Sequence, residues 1–356
     1  MTGAVRLRCF RLHKRLNRNP SLDDNIKRDE FPVQSILSQL EIMGFHSPDS
    51  GIAASVFLAL YTLFLGQMTY IMIKRGFKNV YTFIFFFTLF RFGGQLCGVV
   101  YAALGPLHYK WLIAYLVLGA EGYFALIFAG FRFTCRAQYE KFGESWMLHK
   151  GPNVGNLFIL KRLCKSWSRI FHLTLIPANA LVISGGSMLA GILYDDMAKE
   201  HNTVMTSKAL RTTGQAIFLS MTLCLIFLTI YVFVVEKVRN HTTIAVLCGS
   251  PFILVRGIFG VLSIYITEMN YFQFSNYDEE GKVNHKLVVY EYVLSTTMEF
   301  ITASLLMTKY WFDLKHPSEQ LLLENKRTNN SSNSDPVSSI REQSMKGVLK
   351  AERQRN

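Results

Sequence analysis

Charged residues are scarce in this chain: Asp, Glu, Lys and Arg make up 18% of its 356 residues, whereas soluble domains carry about 25%. Together with the apolar content, this shortage excludes an ordinary soluble enzyme and a disordered chain. Cysteine is rare too, and its six residues show no spacing typical of a metal site or a disulfide-rich secreted module. What the chain has instead is apolar mass, 50% of its residues, and a formal net charge of +13.

The apolar residues are concentrated in seven long stretches. A helix needs about 20 apolar residues to cross a hydrocarbon core about 30 Å thick, and each stretch meets that length. They cover residues 51–73, 80–104, 111–131, 170–193, 214–235, 244–266 and 288–308. None alternates as the strands of a membrane barrel do, and helices satisfy their own backbone hydrogen bonds in lipid. The sequence therefore predicts an all-α polytopic membrane protein, a bundle of seven transmembrane helices.

Residues that mark known classes of seven-helix protein are missing. The last stretch has no central Lys to carry retinal, and the triplet after the third reads Phe131-Arg132-Phe133 rather than acidic-Arg-Tyr. No stretch contains Asp, the only His within one is His172, and there is no P-loop or HExxH motif. We therefore expect no catalytic residue, no metal ligand and no cofactor, and the chain is predicted not to be an enzyme.

The loops predict the orientation. The first, third and fifth loops and the C-terminal tail hold 22 Lys and Arg residues, and the second, fourth and sixth loops hold 6. Because the basic side of a membrane protein faces the cytosol, we predict an N-out, C-in topology. Residues 1–50 carry 8 basic residues on the opposite side, but most lie far from the first span, where charge has less influence. The acceptor triplets at Asn240, Asn329 and Asn330 fall on the predicted cytosolic side.

Two tails flank the seven-helix domain, which is predicted to cover residues 51–310. Residues 1–50 form a basic tail with a short amphipathic helix at residues 32–45. The first 18 residues are Arg-rich and lack acid, a composition shared by solvated basic arms and mitochondrial presequences. Residues 311–356 are polar and rich in Ser and Asn, which predicts a disordered cytosolic tail.

The longest loop, residues 132–169, holds 8 basic and 2 acidic residues. Its second half predicts a helix on the lipid surface, with apolar residues on one face and the basic residues Lys161, Arg162, Lys165 and Arg169 on the others. Such cations gain about 1 kcal/mol each near anionic lipid heads. The alternative is a cytosolic extension of the fourth span. A nucleic-acid partner is not expected, because no folded domain with stacking aromatics lies outside the membrane.

Four charges lie near the middle of the predicted spans: Arg91 in the second, Glu121 in the third, Arg256 in the sixth and Glu299 in the seventh. Each unpaired charge at that depth costs about 2.5–3.5 kcal/mol, so the four are expected to face the bundle interior. The preferred pairs join Arg91 to Glu121 and Arg256 to Glu299. The crossed pairs, Arg91 with Glu299 and Arg256 with Glu121, form if the second and seventh helices are neighbours.

Two interpretations of these charges remain open. They are either ion pairs that fix the register of the helices, or a polar site at which a ligand head group or a proton binds. An ionisable residue inside the membrane indicates a functional site by default, whereas a balanced set of charges also explains itself by pairing. The sequence does not decide between the two.

Several stretches resemble a fungal family of seven-helix integral membrane proteins of unknown function. They are GIAASVFLALYTLF, KRGFKN and FTLFRFGGQLCG in the first two spans, with SPFILVRGIFGVLS and YVLSTTMEFI in the last two. The resemblance covers residues 50–310 and implies that Arg91, Arg256 and Glu299 occupy the characteristic intramembrane charged positions of that family. Glu121 and the long basic third loop depart from its pattern. In architecture and charge placement the chain is also similar to the fungal lipid-translocating exporters linked to sterol-analogue resistance.

These observations favour transport or translocation of a lipid or amphipath, with the midplane charges holding its polar head. The alternatives are a receptor-like signalling protein and a structural subunit of a membrane complex. The expected partners are the bilayer, anionic lipid heads and a small amphipathic ligand, in the plasma membrane or an endomembrane. The sequence does not fix the oligomeric state.

Overall fold

The computed structural model describes residues 45–77, 79–105, 108–149, 151, 166–190, 201–278 and 281–315. This part of the chain is helical, apart from connecting turns and one isolated antiparallel bridge between Tyr277 and Val283. The α-helices are α1 (Pro48–Arg75), α2 (Tyr81–Leu104), α3 (Tyr109–Phe142), α4 (Trp167–Ala190), α5 (His201–Val234), α6 (His241–Tyr265), α7 (His285–Glu291) and α8 (Met298–Lys315). A one-turn helix, Trp146–His149, follows α3, and a π-helical segment, Tyr292–Thr297, joins α7 to α8.

Helices α1 to α6 are long and apolar enough to cross a membrane, which supports a multi-pass membrane protein and confirms the all-α fold. The seventh predicted span is helical but differs in kind from these six. The π-helical segment divides it, and its longer part, α8, includes Glu299, Lys309, Asp313 and Lys315. In the part of the chain that is described, six helices therefore meet the criterion for a span.

Three helices run well beyond their apolar stretches. Helix α3 continues to Phe142 into the predicted loop 132–169, α5 begins at His201, and α8 ends at Lys315 inside the predicted tail. Apolar content marks only the part of a helix that crosses hydrocarbon, so it does not predict where the helix itself begins or ends. The polar ends stay helical because they pack and form hydrogen bonds with neighbouring helices.

Several predictions concern residues outside those described. They include the N-terminal amphipathic helix, most of the polar C-terminal tail, and Lys161, Arg162 and Lys165 of the predicted lipid-surface helix. Arg169, the fourth basic residue of that set, lies exposed in the first turn of α4. At this position the fourth helix extends beyond its apolar stretch, as the alternative prediction has it.

The distribution of side chains is that of a membrane bundle. Large apolar side chains such as Leu63, Ile73 and Phe227 are 75%, 79% and 67% exposed on the outer faces. The interior holds charge instead, with Arg91 only 1% and Glu299 0% exposed. Apolar outer faces are compatible with a lipid environment. Buried ionisable residues are tolerated only where they pair with other groups inside the bundle.

Helices α4 and α5 pack closely through glycine. A Cβ atom on Gly214 of α5 would lie 2.6 Å from Val182 Cγ2 and 2.7 Å from the Ala178 carbonyl oxygen of α4. A Cβ on Gly185 of α4 would lie 2.7 Å from Arg211 Cγ of α5. Small residues at such crossings let backbones approach, and here they hold the Arg211 side chain against α4.

A polar network joins α3, α6 and α8 at one end of the bundle, where α3, α5 and α8 end and α6 begins. Glu140 of α3 lies at its centre. It accepts hydrogen bonds from Asn240 Nδ2 at 3.1 Å and Thr242 Oγ1 at 3.2 Å, and it pairs with Lys309 Nζ at 3.2 Å and Arg136 Nε at 3.1 Å. The Asn240 side chain also caps α6 by accepting from the Thr243 backbone N–H. This network ties the helices together at that end.

Candidate binding cavity

Three charged side chains from three helices meet in the interior. Glu299 of α8 accepts a hydrogen bond from Arg91 Nε of α2, and Arg91 Nη2 lies against its other oxygen. Arg256 Nε of α6 donates to the same carboxylate at 2.6 Å. We call Arg91, Arg256 and Glu299 the charged triad. One carboxylate between two guanidinium groups leaves an excess of one positive charge.

The triad corrects the preferred pairing. The pair of Arg256 with Glu299 forms as predicted, but the prediction that Arg91 pairs with Glu121 was wrong. Arg91 of α2 pairs instead with Glu299 of α8, which is one of the two crossed pairs. It does so because both helices face the interior here. Glu121 is half-buried on α3 and accepts a hydrogen bond from Asn179 Nδ2 of α4 at 2.6 Å. Glu121 is therefore not a member of the triad.

Small residues and aromatic rings make room for the two guanidinium groups. Cβ atoms on Gly119 and Gly122 of α3 would lie 3.4 Å from Arg91 Nη1 and 3.1 Å from Arg91 Nε. The Arg256 guanidinium lies 4.8 Å from the centre of the Tyr123 ring, a cation–π contact. The two arginines are thus held in place by packing as well as by Glu299.

A cavity of about 110 Å³ lies beside the triad, towards the end of the bundle at which α3 begins and α6 ends. Its walls come from α2 to α7 and from the connection between α6 and α7. The polar side chains among its lining residues are Arg91, Tyr115, Arg211, Gln215, Arg256, Ser263, Tyr271 and Glu291. The cavity therefore connects the triad with the end of the bundle opposite the Glu140 network.

One wall of the cavity presents unpaired hydrogen-bonding groups on α5. Arg211 has no carboxylate partner among the described residues, and its guanidinium lies 4.4 Å from the centre of the Phe272 ring. Gln215, one helical turn further, is buried and its Oε1 has no hydrogen-bond partner in that part of the chain. Together with Arg256 of α6, which lines the same cavity, Arg211 offers fixed positive charge to a ligand.

The other wall is acidic and aromatic. Glu291 of α7 is 9% exposed, and its only hydrogen-bond partner within the described chain is Tyr115 Oη, which donates to Oε1 at 3.3 Å. The rings of Tyr115 and Tyr271 meet edge to face with centroids 6.4 Å apart. Burial, and then the Glu291 carboxylate, raise the pKa of Tyr271 well above its ordinary value. Its ring is therefore neutral at physiological pH.

The π-helical segment adds polar groups near the triad. Ser295 and Thr296 are fully buried, and their hydroxyl groups have no partner among the described residues. Gln95 Oε1 of α2 accepts from Tyr292 Oη at 3.4 Å, and its Nε2 is likewise unpartnered there. Such one-turn π segments are frequent at functional sites. The interior between Glu291 and Glu299 is thus polar along one face of the α7–α8 segment.

Sequence reasoning missed most of the cavity. Arg211 precedes the fifth apolar stretch, so it was counted in a loop, although it forms an i, i+4 pair with Gln215 on one face of α5. Glu291 lies near one end of the seventh apolar stretch, where a charged residue does not stand out. Tyr115 and Tyr271 have no signal of their own, since aromatic residues near span ends fit an interfacial belt equally well.

Comparison with protein-family models, curated proteins and solved structures finds no match to this chain. The resemblance to fungal membrane proteins stays a prediction. Among the described residues, no cluster of His, Cys, Asp and Glu has an arrangement that could hold a metal ion.

Proposed function

We propose that the chain is a seven-span membrane protein, N-out and C-in, that binds the anionic head group of an amphipath in this cavity and moves it across the bilayer. The observation that carries the proposal is the charge of the cavity. Three arginines, Arg91, Arg211 and Arg256, face it, against the two carboxylates of Glu291 and Glu299. An excess positive charge with low-dielectric walls attracts anions.

The size and depth of the cavity support a head group as the bound part. Sites that bury a whole drug-sized ligand measure about 300–1,000 Å³, whereas this one measures about 110 Å³. A small polar group fits, and the apolar chain of an amphipath remains against the lipid-facing helices. In the proposed topology the cavity faces the outside, and the Glu140 network lies at the cytosolic end.

The test is a translocation assay. The purified chain is reconstituted into vesicles with a fluorescent short-chain anionic phospholipid, and the rate at which label moves between leaflets is measured. Arg211→Gln removes the arginine that has no carboxylate partner within the described residues, so we expect the protein-dependent rate to fall about tenfold, the equivalent of about 1.4 kcal/mol. The matched control is Lys208→Gln on the same helix, because Lys208 lies over Tyr265 outside the cavity.

Two outcomes of this translocation assay would count against the proposal. Equal rates for wild type and Arg211→Gln would contradict the proposal. Binding of the lipid without any protein-dependent movement would favour the alternative, a receptor-like protein whose pocket faces one side of the membrane.

A further inference from the structure

The acidic wall of the cavity has a composition that an anion alone does not explain. Glu291 is buried and has no cationic partner in the described chain. It lies in the same cavity as three arginines, and none of them forms an ion pair with it. A buried carboxylate without a counter-ion is costly unless something positive binds there.

The surroundings of Glu291 match what an ammonium group requires. Tyr115 and Tyr271 both line the cavity, and their rings meet at a centroid distance of 6.4 Å. Aromatic faces beside a carboxylate bind quaternary and primary ammonium groups through cation–π and ion-pair contacts. Because Glu291 is only 9% exposed, the low dielectric of its surroundings strengthens the attraction of its carboxylate for a cation.

The two walls therefore recognise opposite charges within one small volume. Arg211, Arg256 and Gln215 line it from α5 and α6, while Glu291, Tyr115 and Tyr271 line it from α7, α3 and the α6–α7 connection. We infer that the ligand is a zwitterionic amphipath, with a phosphate on the arginine wall and an ammonium group on the Glu291 wall. This inference rests on the proposed function and names the class of head group that it carries.

The experiment compares two single-chain amphiphiles that share a dodecyl chain and a phosphate, of which only the second carries a choline ammonium group. Binding of dodecyl phosphate and of dodecylphosphocholine to the purified full chain is measured in maltoside micelles. Wild type is expected to bind the phosphocholine about tenfold more tightly. Glu291→Gln keeps the shape of the side chain but removes its charge. It is expected to weaken phosphocholine binding and, because a negative charge leaves the cavity, to strengthen dodecyl phosphate binding, so that the preference for phosphocholine is lost. The matched control is Glu268→Gln, an exposed carboxylate of the same connection.

A second variant covers the case in which Glu291→Gln does not fold. Tyr271→Leu removes one aromatic ring from the connection between α6 and α7, and is expected to weaken phosphocholine binding several-fold more than phosphate binding. Binding of phosphocholine without an alkyl chain is measured as well, to test whether the apolar chain contributes to affinity. If it binds as tightly as dodecylphosphocholine, the ligand is a soluble zwitterion and not an amphipath.

The outcomes separate this inference from the proposed function. If wild type binds dodecyl phosphate at least as tightly as the phosphocholine, or if the folded variants retain the preference, the zwitterion is excluded and an anionic amphipath remains. If wild type binds neither amphiphile, the proposed function itself fails.

Discussion

Glu299→Gln is expected to lower the free energy of unfolding by about 3–5 kcal/mol, because it leaves two buried guanidinium groups without their carboxylate. Glu299 is fully buried and contacts both Arg91 and Arg256. Replacing either arginine by Gln leaves a neutral ion pair, so each single change is expected to cost about 1–2 kcal/mol. The measurement is unfolding of the purified protein by SDS titration in mixed micelles.

The control for this prediction is Glu121→Gln, the same change on a neighbouring helix. A Gln amide at this position still accepts the hydrogen bond from Asn179, so the stability is expected to change little. The double variant Arg91→Gln with Glu299→Gln removes one of the two stranded cations and should recover part of the loss. Equal stability of Glu299→Gln and Glu121→Gln would show that the triad does not hold the bundle together.

Glu140→Ala is expected to cost about 3 kcal/mol of unfolding free energy, since it removes the carboxylate that joins three helices at one end of the bundle. The side chains of Glu140 and Lys309 are 9% and 11% exposed, so water replaces the lost contacts poorly. Asn240 Nδ2 and Thr242 Oγ1 lose an acceptor as well. The same SDS titration measures the effect.

Glu144→Ala provides the matched control, because Glu144 is exposed just beyond the end of α3. Its expected change lies within about 0.5 kcal/mol. Lys309 keeps its ion pair with Asp313 at 2.8 Å in Glu140→Ala. Lys309→Met combined with Glu140→Ala is therefore expected to cost less than the sum of the two single changes, as coupled neighbours do in a double-mutant cycle. If the two single alanine variants are equally stable, the Glu140 network contributes nothing to the bundle.

Much of the architecture could be predicted from the sequence, because it depends on local composition. Six of the seven apolar stretches overlap long apolar helices. The seventh stretch is interrupted at Tyr292–Thr297 by a π-helical segment, and no residue in YVLSTT is a helix breaker such as Pro or Gly. A π segment depends on how neighbouring helices pack, which apolar periodicity does not encode.

The charged site was only partly predictable. Position along each span identified Arg91, Arg256 and Glu299 as buried, since all three lie near the middle of apolar stretches. Which carboxylate pairs with Arg91 depends on which helices are neighbours in space, and the preferred pairing of charges on consecutive spans chose Glu121 wrongly. Arg211 was missed because the fifth apolar stretch begins only at residue 214, although the helix begins at His201.

The central claim is that the arginine-lined cavity holds an anionic head group. The most direct test is equilibrium binding of dodecyl phosphate to purified wild type, Arg211→Gln and Lys208→Gln, with an uncharged dodecyl amphiphile as competitor. We expect the Kd for dodecyl phosphate to be about tenfold higher for Arg211→Gln than for wild type and unchanged for Lys208→Gln. We also expect the uncharged dodecyl amphiphile to compete only weakly. Equal affinities for all three proteins, or full displacement by the uncharged amphiphile at equal concentration, would contradict this claim.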